Sequence, residues 1–453
     1  MKIPFYPILL LMLLLSATGL QDREAFRKQE LALAGSDRAG LAREKVRAEE
    51  QAGERVLIPM DLSQTNHLKA YGVIFNHIAQ NESGMWLLNY RGGSFLTTSS
   101  SNIVREARLR NVRVETISAS EAQAILREVE NPGANMAVVN LETVPSIAVY
   151  TPPGTPPWDD AVTLALDYAE IPYDQVYDPE VLSGQLSQYD WLHLHHEDFT
   201  GQHGKFWAAY QNQPWYIEQV KRREEMAARL GFQKVSELKL AVVHGIRDFV
   251  AAGGFMFAMC SATDTFDIAL AAESLDIVPS QLDGDPVDNN VNERLDYSKT
   301  FAFENFSIIA DPYIYEHSDI DVEVDLNRIS ESLDYFTLFE FSAKWDPVPA
   351  MMTQNHVSSI PGFYGQATAF QKDKLKGSTV ILGESPGQEK VKYLYGNYGQ
   401  GSFTFYGGHD PEDYTHRIGD PPTDLNLHPN SPGYRLILNN ILFPAAEEKK
   451  RQT

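Results

Sequence analysis

A single cysteine lies in a sequence context that can support nucleophilic chemistry. Cys260 follows the apolar run Phe255–Met259, which predicts a strand, and Ser261 opens a predicted helix. A thiol at such a strand-to-helix turn is presented at the top of a sheet, where the helix N-terminus lowers its pKa. The turn also needs small neighbours, and Ala258 and Ala262 supply them. This context predicts a nucleophile, with an inert buried thiol as the alternative.

A histidine after a later predicted strand can serve that thiol as a base. His409 follows the run SFTFYGG, and Asp410 and Glu412 come directly behind it. A nucleophilic cysteine needs a base, and the base needs an orienting carboxylate. We therefore predict His409 as the base, Glu412 or Asp410 as its orienting group, and Ser261 near a ligand through its backbone N–H. The alternative is a polar turn with solvated acids.

A second histidine cluster predicts either metal binding or substrate binding. His193, His195 and Glu197 share one face if their strand continues, and zinc accepts imidazole and carboxylate ligands. Zinc is thus a possible cofactor, whereas thiol chemistry requires none. Alternatively, His195, His196 and Glu197 position substrate beside Cys260, or the histidines cap the following loop. Two further possible ligands lie in the loop after His409, namely His416 and His428.

The elements that must position these residues predict an α/β fold. Strand-like and helix-like segments alternate from residue 145, which indicates a mostly parallel sheet with helices on both faces. This larger domain covers 145–445, with an acidic and aromatic insertion at 274–345. Its later strands turn over quickly, as antiparallel edge strands do. Residues 55–143 predict a smaller N-terminal α/β domain.

The first residues of the chain predict export, and charged segments are predicted outside the folded domains. Residues 1–19 combine Lys2, an apolar run of about eight residues and a small-residue cleavage pattern, as a secretory signal peptide does. That run is too short for a stable membrane anchor. Residues 20–54 predict a charged helical arm, and 446–453 a charged tail. We therefore expect a periplasmic or extracellular protein.

Composition limits the partners. The 453 residues include 38 Lys and Arg against 61 Asp and Glu, which gives a net charge of −23. This balance argues against binding of nucleic-acid phosphates, which requires a basic surface. One cysteine excludes an intramolecular disulfide. Small molecules, sugars or peptides are the expected ligands. Aromatic side chains that can stack on them follow the third strand of the large domain, namely Trp191, Phe206, Trp207, Tyr210, Trp215 and Tyr216.

Three segments resemble the class I glutamine amidotransferase-like superfamily, which includes the trehalose-utilisation-protein-like branch. The similar segments are GGFMFAMCSATDT, YGGHDPED and GYRLILNNILF. The resemblance implies a flavodoxin-like sheet, Cys260 as the nucleophile that attacks an amide carbonyl, His409 as its base and Glu412 as the orienting carboxylate. The sequence departs from the family in having alanines for glycines around the cysteine and His-Asp-Pro-Glu for His-Pro-Glu.

The whole chain also resembles exported bacterial proteins labelled asparagine synthetase B. The similar segments are TPPGTPPWDDAVTLALDYAEIPYD and YDWLHLHHEDFTGQHGKFWAAY. The sequence contains no SGG-x-DS-type ATP loop, so this resemblance implies at most the glutamine-hydrolysing half of such an enzyme. Three functions are therefore expected: cysteine-dependent cleavage of a C–N amide bond, ligand binding without catalysis on the same fold, and metal-dependent hydrolysis at His193, His195 and Glu197.

Overall fold

The computed structural model describes residues 53–153, 160–322, 334–363, 365–413 and 421–446. The predicted signal peptide 1–19, most of the arm 20–54 and all but the first residue of the tail 446–453 lie outside these ranges, as does His416. No helix among the described residues is both long and apolar enough to cross a membrane.

The N-terminal segment forms a five-stranded antiparallel sheet in the order β4-β1-β3-β2-β5. Its strands are β1 (Arg55–Ile58), β2 (Gly84–Leu88), β3 (Ser94–Thr98), β4 (Glu115–Ile117) and β5 (Ala137–Leu141). Its helices are α1 (His67–Ile78), α2 (Ser101–Leu109) and α3 (Ala119–Val129). Local sequence sets the helix starts: Asn66 accepts a hydrogen bond from the Lys69 N–H, and Ser118 and Glu121 form a capping box.

The rest of the described chain forms a ten-stranded sheet, in which β11-β10-β13-β14-β15-β9-β8-β6-β7 follow one another and β12 pairs with β14. Its first five strands are β6 (Ile147–Tyr150), β7 (Asp174–Val176), β8 (Trp191–Leu194), β9 (Phe255–Met259) and β10 (Tyr335–Leu338). The other five are β11 (Ser359–Pro361), β12 (Phe370–Gln371), β13 (Val380–Glu384), β14 (Lys390–Tyr398) and β15 (Gly401–Tyr406).

The expectation of a mostly parallel, flavodoxin-like sheet is wrong, because the large sheet is mixed. Strands β7, β6, β8, β9 and β15 run parallel, but every further pairing, beginning with β14 on β15, is antiparallel. The α/β class itself is confirmed. The physical reason lies in the connections: β13, β14 and β15 follow one another through short turns, and such turns join only antiparallel neighbours.

In the described part of the chain, nine α-helices accompany the large sheet, and helices lie on both faces of its parallel half. They are α4 (Ala161–Ala169), α5 (Asp178–Leu182), α6 (Trp207–Tyr210), α7 (Pro214–Leu230), α8 (Val235–Ala251), α9 (Ser261–Ala271), α10 (Ser280–Asp283), α11 (Pro347–Met352) and α12 (Pro432–Leu442). Alternate residues of β9 enter two separate hydrophobic cores: Phe257 packs with α4 and α12, and Met256 packs with α8 and α9. The predicted insertion 274–345 joins the sheet, because β10 pairs with β11 and β13.

The N-terminal sheet is held to the large domain by closely packed helices. Helix α12 contacts both α1 and α4, and α1 crosses α4 at Gly72. A Cβ atom at Gly72 would lie 1.7 Å from the backbone oxygen of Ala169, far inside van der Waals contact. Only a glycine therefore permits this approach of the two helices.

We expect Gly72→Ala to destabilise the protein, because the added methyl group must push two helix backbones apart. Overpacking of this kind costs about 1–3 kcal/mol, more than alanine gains in helix propensity. Urea unfolding measures the change. Gly377→Ala is the control, since a Cβ at Gly377 meets nothing within 4 Å. Equal or higher stability of Gly72→Ala would contradict the observed helix crossing.

Candidate functional site

The candidate site lies where three neighbouring parallel strands end. Strands β8, β9 and β15 are adjacent, with Leu194 opposite Ala258 and Tyr406 opposite Met259. The residues that follow these strands are therefore brought to one edge of the sheet, which is where open α/β sheets bind ligands. They are His195 and His196 after β8, Cys260 after β9, and His409 after β15.

Cys260 occupies a sharp turn between β9 and α9. Its φ of 54° and ψ of −141° are unusual for a residue with a side chain. Such a conformation persists where the surrounding structure fixes it, as at the turn that presents a nucleophile. The side chain is 5% exposed and sits at the N-terminus of an 11-residue helix, whose dipole favours a thiolate.

Two consecutive histidines reach the same side as the thiol because the backbone reverses between them. In a continuing strand, His195 and His196 would point to opposite faces. His196 instead has a φ of 52°, and the two rings stack with centroids 3.7 Å apart. One ligand atom from each of His195, His196 and Cys260 lies within 4.8 Å of the other two.

The buried carboxylate of Asp160 contacts two histidines of this part of the chain, one of which belongs to the cluster. Oδ1 of Asp160 accepts hydrogen bonds from the N–H groups of Val162 and Thr163, which caps α4. Oδ2 lies 3.0 Å from Nε2 of His193 and 3.2 Å from Nδ1 of His195. The Asp160 carboxylate thus connects the start of a helix to two imidazoles.

The electrostatics favour an anionic Asp160 beside a neutral His195. Burial by itself would raise the pKa of Asp160, but His193 and His195 hold that pKa well below its ordinary value. Burial, together with the neighbouring His196, lowers the pKa of His195 to about 4 despite the opposing effect of Asp160. Nδ1 of His195 lies near this carboxylate without a hydrogen bond to it, and the proximity favours a proton on Nδ1 and a lone pair on Nε2.

His409, predicted as the base of Cys260, lies against the histidine cluster. Its ring centroid lies 4.3 Å from that of His196 and 4.9 Å from that of His195. The two glycines before it permit this position: Gly408 has a φ of 109°, and a Cβ there would lie 2.0 Å from the Phe363 ring.

The acids predicted to orient His409 have contacts elsewhere. Asp410 accepts hydrogen bonds from the N–H groups of Glu412 and Asp413 and from the hydroxyl of Thr423, so its carboxylate stabilises the loop. Oε2 of Glu412 lies 3.0 Å from Nδ1 of His428.

The remaining predicted residues, Glu197 and Ser261, make contacts that hold the loop after β8 in place. Oε2 of Glu197 lies 3.2 Å from Nζ of Lys239, within a buried network. The carboxylate beside His193 and His195 is therefore Asp160, where the sequence prediction placed Glu197. The hydroxyl of Ser261 donates to the backbone oxygen of Glu197 at 3.4 Å, which joins the loop after β8 to α9.

A loop from the antiparallel half closes over the thiol. The backbone N–H of Gln366 donates a hydrogen bond to Sγ of Cys260 at 3.3 Å. The Gln366 side chain is anchored in turn by Nε2, which donates to the backbone oxygen of Tyr315 at 2.7 Å. A Cβ at Gly365 would lie 2.9 Å from the backbone nitrogen of His409, so this loop packs directly against the histidine segment.

Several predicted aromatic side chains form a partly exposed group together with two tyrosines of 313–315. Phe206 contacts Tyr315, Tyr210 contacts Trp215, and Trp207 contacts Tyr313 edge-on. Tyr313, Tyr315 and Trp215 are 70%, 47% and 36% exposed. Trp191 and Tyr216 are instead buried, and Trp191 stacks on His193.

Sequence reasoning missed two residues of the site. Asp160 stands in an acidic helix start, WDDAV, and a helix cap is the obvious role for such an acid. Gln366 contributes through its backbone, which leaves no signal in the residue type. Two groups of described residues have spacing suitable for metal ligands: Asp160 with His193 and His195, and His195 with His196 and Cys260.

Comparisons with known proteins give only distant structural similarity. No protein-family model matches the chain, and no curated protein matches its sequence. Cytoplasmic protein STM3548 from Salmonella typhimurium is 9% identical and aligns over 67% of this chain and 100% of its own, with a TM-score of 0.35. Cytoplasmic protein STM1381 from S. typhimurium LT2 is 11% identical over the same shares, with a TM-score of 0.34.

A catalytic mutant of Gan42B, a GH42 beta-galactosidase from G. stearothermophilus, is also similar. It is 11% identical and aligns over 59% of this chain and 28% of its own, with a TM-score of 0.23. At these scores the comparisons carry no argument about function.

The network beneath the site yields a stability prediction. Nζ of Lys239 lies 3.1 Å from Asp178 and 3.2 Å from Glu197, and it donates to the hydroxyl of Tyr150 at 2.9 Å. The Lys239 side chain is 1% exposed. Loss of this cation would leave two buried carboxylates without their shared ion-pair partner, although Arg223 also acts electrostatically on Glu197.

We expect Lys239→Met to lower the free energy of unfolding by about 3–5 kcal/mol, the usual cost of removing one partner from a buried ion pair. Urea unfolding measures the effect. The matched control is Lys221→Met, because Lys221 is 64% exposed and its pairing with Glu225 is a surface contact. A small effect at both positions would show that the buried network does not stabilise the fold.

Proposed function

We propose that the protein cleaves a C–N amide bond through a cysteine nucleophile. The observation that carries this proposal is the position of Cys260: a strained turn at a helix start holds its thiol within 4.8 Å of ring nitrogens of His195 and His196. A thiol becomes an effective nucleophile when a neighbouring base accepts its proton.

The geometry supports His195 as that base, oriented by Asp160. A general base must be uncharged at the working pH and held in the correct tautomer by a third group. Nδ1 of His195 lies 3.2 Å from Asp160, and a pKa of about 4 keeps the ring uncharged at neutral pH. An imidazole with so low a pKa is a weak base, so its proton transfer must accompany attack on the carbonyl. The superfamily resemblance implies His409 in this role, and the ring of His409 lies in the same cluster.

In the proposed reaction, the Cys260 proton passes to Nε2 of His195 and the thiolate attacks the amide carbonyl carbon. A C–S bond forms, and the Gln366 N–H and the start of α9 lie where they can stabilise negative charge. The imidazolium then protonates the leaving nitrogen as the C–N bond breaks. Water hydrolyses the resulting thioester, which releases the acid and regenerates the thiol.

Ligand binding without catalysis is the second candidate function, and the exposed aromatic rings favour it. Tyr313, Tyr315 and Trp215 offer partly exposed faces, and such faces stack on sugars or on the side chains of peptides. On this alternative, Cys260→Ala keeps ligand affinity unchanged, whereas the catalytic proposal requires it to abolish turnover.

Alkylation by iodoacetamide at pH 7 in the presence of a chelator tests the thiol. Cys260 is the only cysteine, so the added mass reports this residue alone. We expect the native protein to react at least about tenfold faster than the urea-unfolded chain, because the Gln366 N–H and a helix N-terminus increase the thiolate fraction. A thiol that reacts only after unfolding would exclude cysteine catalysis.

Variants then identify the base. We expect His195→Asn to slow amide hydrolysis by about 10²–10⁴-fold, the usual contribution of a general base. Ammonia release from glutamine is the first assay. His244→Asn is the control, since His244 is a part-exposed histidine paired with Glu273. A loss confined to His409→Asn would instead assign the base to His409, as the resemblance implies.

A further inference from the structure

We propose that His195, His196 and Cys260 form a binding site for Zn²⁺, with Asp160 as the carboxylate behind one of its imidazole ligands. One ligand atom from each of the three lies within 4.8 Å of the other two. Zn²⁺ with bonds of about 2.1 Å to nitrogen and 2.3 Å to sulfur holds its ligand atoms roughly 3.4–3.6 Å apart. Small side-chain rotations therefore suffice to close these residues around the ion.

A buried nitrogen without a partner points to the ion independently of this spacing. His195 is 3% exposed, and neither of its ring nitrogens makes a hydrogen bond within the described part of the chain, although Nδ1 lies 3.2 Å from Oδ2 of Asp160. A buried polar atom left in this way costs free energy, so native structures normally give it a partner. A cation held beside Cys260 supplies one.

The arrangement around His195 matches the way proteins prepare a zinc ligand. Histidine ligands usually donate their second ring N–H to a carboxylate, which fixes the tautomer and strengthens the ligand. Asp160 lies 3.2 Å from Nδ1 of His195 and is itself fixed by the N–H groups of Val162 and Thr163. This leaves Nε2 as the ligand atom.

The charges also fit a divalent ion. A coordinating cysteine binds as a thiolate, so Cys260 contributes one negative charge when it loses its proton on binding. The Asp160 carboxylate contributes a second negative charge, which lies beside the His195 ligand and does not contact the ion. Together they balance the two positive charges of Zn²⁺. Three protein ligands leave a fourth position for water, His409 or another ligand.

Metal binding would compete with thiol chemistry, because the Cys260 sulfur cannot attack a carbonyl while it coordinates zinc. We therefore expect Zn²⁺ to inhibit alkylation of Cys260 reversibly, with full recovery after chelation. The metal site itself does not rest on the proposed catalysis, since binding requires only these three side chains.

Titration of reduced, untagged, metal-free protein with Co²⁺ tests the site. We expect one equivalent to bind, with the visible absorption of tetrahedral Co²⁺ and a thiolate-to-metal charge-transfer band, both removed when Zn²⁺ displaces the cobalt. Cys260→Ala should abolish the charge-transfer band. His196→Ala should weaken binding at least about 100-fold, and Asp160→Asn about 10–100-fold, as for a group that orients a ligand.

The variants are chosen so that folding does not obscure the result. Asparagine at position 160 keeps the helix cap. His196 is only half-buried, so its replacement leaves the core intact. His244→Ala is the control and should bind Co²⁺ as the native protein does. Circular dichroism and thermal melting establish that each variant is folded.

Two results would overturn the metal site: no stoichiometric binding by the reduced protein, or binding that Cys260→Ala and His196→Ala leave unchanged. These results differ from failure of the proposed catalysis. A protein that binds Co²⁺ through Cys260 but cleaves no amide and shows no enhanced alkylation in chelator retains the metal site and loses the catalytic function.

Discussion

The carboxylate of Asp160 is the group on which the arrangement of the site depends. One oxygen accepts the first N–H groups of α4, and the other faces His193 and His195. A carboxylate 4% exposed is stable only when hydrogen bonds replace its water. The N–H groups of Val162 and Thr163 and the imidazole of His193 supply these bonds, so Asp160 remains anionic beside His195.

The order of the strands brings the other groups to this carboxylate. Strand β9 lies between β8 and β15, so the residue after β9 has neighbours on both sides at the same edge of the sheet. Two local reversals of the backbone follow: the one at His196 places its ring on that of His195, and the one at Gly408 precedes His409, whose ring lies beside both. The backbone thus accepts unfavourable conformations at the site, and the two buried cores of the large sheet hold it in place.

The sequence predicts those parts of the site that follow from local patterns. Cys260 lies between a predicted strand and a predicted helix, and His409 follows a predicted strand. Each is a reactive residue type at a strand end, so the sequence alone identifies both as candidates. The contact between Asp160 and His195 joins residues 35 positions apart, and nothing in WDDAV distinguishes an acid that only caps a helix from one that also binds an imidazole. The sequence also predicts the antiparallel pairing of the late strands from their short turns, but not how much of the sheet they form. Alternating strands and helices in the earlier part indicate parallel pairing, and a short turn such as that between β14 and β15 shows only the pairing of the two strands it joins.

Thiol catalysis and metal binding draw on the same physical properties of this cluster. Both require a neutral imidazole with its lone pair directed at Cys260, and both require the thiol to lose its proton. The two uses differ in the atom to which the sulfur bonds, which is an amide carbon in catalysis and a metal ion in metal binding. A Cys260 thiolate beside His195 and His196 would be a good ligand for zinc, so on these two proposals zinc would inhibit the thiol chemistry until a competing ligand removed it. The number of imidazoles separates the two uses, because one oriented base suffices for proton transfer, whereas a tetrahedral ion takes several ligands at once.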